Sequence, residues 1–199
     1  MELVANSEAN ITELQRHDGV GRRHNYFGTP GRVTADPQAF LVELPYAQAR
    51  VNPHFHDIDQ FQVVVAGNGR VGKRPLAPIS FQYADAYTPY GPIVARDDGI
   101  SFFTLRNVSS GGHFVMPGNR DRMPCRAGRN LTGVFDIERP MPPAGEVQSE
   151  ELLGGHEDGL LAVGFWMGPG ARTATLESTG GGQYYLVCSG SLERDGKSF

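Results

Sequence analysis

Glycine and proline break this 199-residue chain into pieces too short for long regular elements. Twenty-six Gly and 14 Pro stand between short apolar runs and do not gather into low-complexity tracts. Each Pro lacks a backbone donor and restricts the residue before it, and Gly supplies the turn conformations other residues avoid. Short runs closed by such signals predict strands joined by turns. Phe40–Leu44, Gln60–Ala66, Ile79–Tyr83 and Ile100–Leu105 are the clearest, with Leu160–Trp166 and Gln183–Cys188 further on. The expected fold is all-β, an antiparallel barrel or sandwich. One short helix is expected over residues 8–17, ended by Gly19 and Gly21.

The run Arg139-Pro140-Met141-Pro142-Pro143-Ala144-Gly145 cannot hold regular structure, and Glu146 to Asp158 is acidic and Gly-broken. The expected division is therefore an N-terminal segment over 1–30, a barrel over 31–137, a linker over 138–159 and a smaller β unit over 160–199.

Several function classes are disfavoured by composition. The formal net charge is −4, which gives no electrostatic footprint for nucleic acid. The cluster Arg120, Arg122, Arg126 and Arg129 sits among Pro and Gly and reads as a solvated loop. No run approaches the ~18 apolar residues of a membrane span, and the first ten residues show no signal-peptide core, so a cytoplasmic location is expected. Cys125 and Cys188 are far apart and indicate neither a disulfide framework nor a thiolate zinc site.

The informative segment is Pro53-His54-Phe55-His56-Asp57-Ile58-Asp59-Gln60-Phe61-Gln62, running on through Val63-Val64-Val65-Ala66 to Gly67. Along a strand side chains alternate, so His54 and His56 face the same way about 7 Å apart. Two imidazoles so placed can converge on one ion. Gln60 follows a short Asp-rich turn, and its amide oxygen could reach the same point.

This pattern resembles the first motif of the cupin superfamily, G-x5-H-x-H-x3/4-E-x6-G. His54, His56 and Gly67 stand at the family positions, while Gln48 replaces the first Gly and Gln60 replaces the usual Glu. The second motif, G-x5-P-x-G-x2-H-x3-N, survives in its middle as Pro89-Tyr90-Gly91. Tyr83 and Asp98 replace its ends, and Val94 stands where a fourth ligand, a His, belongs. A broken second copy is suggested by Glu177, Thr179, Gln183 and Gly190, which repeat the first spacing without imidazole. The resemblance implies a jelly-roll β-barrel, with a partial degenerate repeat at the C-terminus.

It also implies a divalent transition metal (Fe, Mn, Ni or Zn) held by His54, His56 and Gln60, with Gln62, Tyr87 and Tyr90 toward a substrate. The expected function is a metal-dependent enzyme on a small organic molecule, an oxygenase or dioxygenase being the commonest implication. A cupin lyase or isomerase, or a non-catalytic small-molecule binder with a depleted metal site, is the alternative. No nucleic-acid or membrane partner is expected, and a homodimer is. His17, His24, His113 and His156 show no ligand spacing and read as surface groups.

One pattern misleads. Gly67-Asn68-Gly69-Arg70-Val71-Gly72-Lys73-Arg74 fits G-x-G-x-x-G and nearly fits a phosphate-binding loop. Both motifs need a helix starting at the last Gly, and Pro75 and Pro78 argue against one. A hairpin turn is expected there.

Overall fold

Strand β6 (Gln60–Val71) shows how the sequence builds the molecule. Gln60, Gln62 and Val64 are buried while Phe61, Val63 and Val65 are half-buried, which is the alternation of a strand with two unlike faces. It runs between β9 (Ile93–Arg106) and β8 (Ser80–Ala84), antiparallel to both. The chain is seen in a computed structural model that describes residues 9–29, 32–178, 181–194 and 196–198.

Around β6 lies a nine-stranded sheet in the order β1-β2-β3-β9-β6-β8-β11. Its further members are β1 (Asn10–Arg16), β2 (Gly19–Phe27), β3 (Gln38–Leu44) and β11 (Asn130–Val134). β4 (Arg50–Val51) pairs with β9, and β7 (Arg74–Leu76) pairs with β6. β5 (His54–Phe55) pairs antiparallel with β10 (Phe114–Val115). Leu44, Val64, Ile93, Ile100 and Phe102 form the heart of the apolar core. The described residues contain no α-helix, only a 3-10 turn at Arg120–Arg122. The all-β antiparallel architecture expected from the sequence is the one observed.

Four expectations are corrected. Residues 10–16 form β1 and not a helix, because Leu14 and its neighbours pair in register with β2, Leu14 opposite Gly21. The N-terminal segment therefore belongs to the main sheet. β6 does not end at Gly67-Asn68-Gly69; it crosses those residues with register shifts between Val64 and Ala66 and between Gly67 and Gly69. Gly67 has φ +70, and a Cβ there would lie 2.2 Å from the Gly99 carbonyl oxygen, so only Gly lets the two strands approach. This is the physical reason for the motif's glycine.

The linker is not structureless: Val147–Leu153 is strand β12, paired antiparallel with β13 (Ala162–Met167). Finally, the run Gln183–Cys188 carries no strand; after β13 the strands resume only at β14 (Glu193–Arg194) and β15 (Lys197–Ser198). The expected second cupin repeat is thus not seen, and Thr179 of its pattern lies outside the described residues.

The chain divides into two units, residues 1–132 and 133–199, the boundary falling inside β11. In the second unit Trp166 is the buried centre, 4% exposed. Phe135 stacks on it at 4.5 Å, the Arg139 guanidinium lies 4.0 Å over its ring, and its indole N–H donates to the Asp136 carbonyl at 2.7 Å.

Candidate active site around three histidines

The site is assembled where β5 is held on two sides. His54 exchanges both backbone hydrogen bonds with Tyr90, at 3.1 and 3.0 Å, and pairs with Val115 of β10 on the other side. Alternation sends Phe55 into the core, fully buried and stacked on Phe114 at 5.1 Å. His54 and His56 are left on the opposite face, their rings 5.1 Å apart and nearly perpendicular. The same-face placement expected from the sequence is the one observed.

A third imidazole joins them. His113 lies 4.2 Å from the His54 ring and 5.6 Å from the His56 ring. Its loop is tied down by Asp57, the residue after the His pair: Asp57 accepts from the Ser110 hydroxyl at 2.7 Å and from the Gly111 amide at 3.0 Å. Spacing gave no sign of His113, because the link from Asp57 to residues 110–111 exists only in the folded chain.

Both paired histidines are fixed in one tautomer by the main chain. His54 Nδ1 lies 2.7 Å from the Asn52 carbonyl and His56 Nδ1 lies 2.6 Å from the Gly112 carbonyl. A carbonyl only accepts, so Nδ1 carries the proton and Nε2 keeps its lone pair. Burial, then the neighbouring His113, lowers the His54 pKa to about 3. Burial, then the charge of Arg106, lowers that of His56 to about 2. His113 is an exposed residue whose ring leans on the other two, and partial desolvation there lowers its pKa as well. All three imidazoles are therefore neutral near pH 7.

Gln60 has a different setting from the one expected. Its Oε1 accepts from Arg106 Nε at 3.0 Å and from Arg106 Nη2 at 2.8 Å, which uses both lone pairs. Arg106 Nη1 also donates to Gln38 Oε1 at 2.6 Å. Since guanidinium only donates, the Gln60 amide is oriented without ambiguity, and its Nε2 donates to the Tyr90 hydroxyl. Gln62 accepts from Gln82 Nε2. Strand order explains the chain of bonds, since Gln38, Arg106, Gln60 and Gln82 stand on neighbouring strands β3, β9, β6 and β8.

The remaining expected residues are placed as follows. Tyr90 is buried, its ring 4.5 Å from His54; burial raises its pKa against the pull of Arg106, Gln60 and Gln62. Gln62 is buried in the amide chain. Tyr87 sits 6.0 Å from Phe55, its backbone at φ +61 and its amide donating to the His56 carbonyl at 2.6 Å. Val94 is buried on β9 and supplies no fourth ligand.

The donor chemistry fits a divalent transition ion, which takes neutral imidazole nitrogen. Metal–nitrogen bonds of about 2.1 Å put the centroids of neighbouring imidazole ligands about 4.6–5.3 Å apart; the His54–His56 separation of 5.1 Å lies in that range, and those to His113, 4.2 and 5.6 Å, lie on either side of it. Among the described residues no three His, Cys, Asp or Glu side chains are arranged to hold an ion.

No protein-family model matches the chain, and no curated protein matches it. Among solved structures it is similar to KdgF from Halomonas sp., at 24% identity and a TM-score of 0.41, over 53% of this chain and 93% of that one. It is similar to a cupin-2 domain protein from Rhodospirillum rubrum, at 12% identity and a TM-score of 0.45, over 55% and 76% of the two chains. A third is a formate complex of oxalate decarboxylase from Lactobacillus farciminis, at 16% identity and a TM-score of 0.43, over 62% of this chain and 39% of that one. In motif and in antiparallel β architecture the chain is cupin-like. At TM-scores below 0.5 these likenesses fix neither ligand nor reaction.

Proposed function

We propose that this protein is a metal-dependent cupin-type enzyme acting on a small organic molecule, with His54, His56 and His113 holding one divalent ion. The observation that supports this reading is the set of three neutral imidazoles, two of them locked by main-chain carbonyls with Nε2 left as the donor. Such carbonyl partners are the usual orienting groups of metal-bound histidine. The ion would supply Lewis acidity or, if redox-active, electron transfer in an oxygenase-type reaction. Gln60 acts in this reading as an orienting group, because its oxygen already serves Arg106. The Tyr90 oxygen accepts an amide N–H of Gln60, which leaves its own proton to donate. With its pKa raised, Tyr90 keeps that proton at neutral pH.

Metal analysis of the purified full chain tests the reading. About one Fe, Mn, Ni or Zn per chain is expected, lost in the His54→Ala/His56→Ala double variant and weakened in His113→Ala. Unchanged metal content in the double variant overturns it. A second reading, a metal-free small-molecule binder, is favoured by the engagement of Gln60 with Arg106 and by Val94. A protein that purifies without metal and still binds an organic ligand supports that second reading.

A further inference from the structure

The glycine-rich segment that imitates a phosphate loop forms the hairpin between β6 and β7, Val71 opposite Arg74. Gly72 turns it at φ +58, and its amide donates to the Pro92 carbonyl at 2.9 Å. That bond sets the hairpin beside the Pro89–Pro92 turn, whose Gly91 has φ +103. Between the two turns lies a cleft of about 280 Å³ lined by Lys73, Arg74, Gln82, Tyr90, Gly91 and Asn130, among others.

Three features of the cleft describe its occupant. Two cations, Lys73 and Arg74, stand in its wall, and no carboxylate lines it. Arg74 is aimed by bonds from Nη1 to the Asn130 carbonyl at 3.3 Å and to the Thr132 hydroxyl at 3.4 Å. Gln82, 4% exposed, donates its Nε2 to Gln62 while its Oε1 has no hydrogen-bond partner. A buried amide oxygen without a donor is costly, and a small turn of the enclosed Gln82 amide toward the cleft would let a ligand hydroxyl, directly or through one water, satisfy it. Tyr90 forms a further wall and carries the cleft to the face that packs on His54.

We infer that this cleft binds a small hydroxylated organic anion, its carboxylate or phosphate toward Lys73 and Arg74 and its hydroxyls toward Gln82, against the wall that Tyr90 forms. Bidentate geometry at Arg74 and a point charge at Lys73 suit either anionic group. The volume, near the lower end of small-molecule pockets, suits a ligand of sugar-acid size. The assignment does not depend on a metal.

The full chain is titrated by calorimetry with gluconate, glucitol 6-phosphate, neutral glucitol and acetate. At least one of the two hydroxylated anions is expected to bind, and which one tells carboxylate from phosphate. Glucitol and acetate should bind at least about tenfold more weakly, lacking the charge and the hydroxyls respectively. Lys73→Ala/Arg74→Ala should weaken the anion about tenfold or more, with metal content unchanged. Lys73→Ala alone, which leaves the Arg74 bonds to Asn130 and Thr132, should cost about threefold. No anion binding up to about 10 mM, glucitol or acetate binding as well as the anions, or an unchanged affinity in the double variant overturns the assignment. Metal loss on changing the histidines is scored separately, so either reading can fail alone.

Discussion

The two units of the chain use similar β-forming sequence to different ends. Among the described residues the buried aliphatic and aromatic side chains lie in the first unit except for Trp166, and the second unit exposes Val134, Ile137, Met141, Leu161, Tyr185 and Val187. In the first, each strand has neighbours on both sides over most of the sheet, so alternate side chains are removed from water along whole strands. In the second, the strands form two separate two-stranded pieces, β12 with β13 and β14 with β15. An isolated hairpin is marginal in water, so the second unit leans on its one aromatic centre. Apolar runs alone do not make a sheet; the number of strands available to pair with them decides.

The contrast is sharpest at the histidines. Removing His54 and His56 together should lower metal content more than tenfold, while His156→Ala in the second unit leaves it unchanged; elemental analysis of the two proteins checks this.

Next in size is Trp166→Ala, expected to cost the second unit about 3–5 kcal/mol by emptying its centre. Hydrogen exchange should then show lost protection over β12 and β13 and unchanged protection over β6 and β9. Because Trp166 is the chain's single tryptophan, its fluorescence in the native protein reports the second unit alone. Denaturant midpoints from fluorescence should fall below those from far-ultraviolet circular dichroism, and coincident transitions would break the contrast.

Glycine gives a matched pair. Gly67→Ala meets the Gly99 carbonyl at 2.2 Å with φ +70, whereas Gly145→Ala at φ +80 meets nothing within 4 Å. The left-handed conformation costs about 1–2 kcal/mol in both. The close backbone contact should raise the loss at Gly67 to about 3 kcal/mol or more, read as a difference in chemical unfolding.

The last effect is spread over pH. His54 and His56 have folded pKa values of about 3 and about 2, below the ordinary value of 6.5. Between those values and 6.5 the unfolded chain binds more protons, so stability of the metal-free protein should fall as pH drops below 6.5. The slope is at most about 1.4 kcal/mol per pH unit per histidine. His54→Ala should flatten it, which denaturation series at pH 7, 5.5 and 4.5 can show.

Strand positions were largely legible because alternation and turn residues act locally: Phe40–Leu44, Gln60–Ala66 and Ile100–Leu105 all lie in observed strands. The pairing of His54 with His56 was legible for the same reason, since period two puts them on one face. The helix expected over 8–17 fails because pairing of β1 with β2 overrides a weak local preference. The strand expected over Gln183–Cys188 fails because a strand needs a partner, and no described strand pairs with it.

What the sequence determined by itself lay within reach of a few residues: most of the main strands, the His54/His56 face, and a hairpin in place of a phosphate loop. Only the tertiary structure decided how distant residues share that site. His113 arrives through Asp57, Gln60 is turned to Arg106 forty-six residues away, and the basic hairpin faces buried Gln82 across a cleft. The reason is physical. Backbone conformation follows from local sterics, whereas the partner of a buried polar group is chosen among all groups that folding brings near it, so desolvation and strand order, not spacing, settle which one it is.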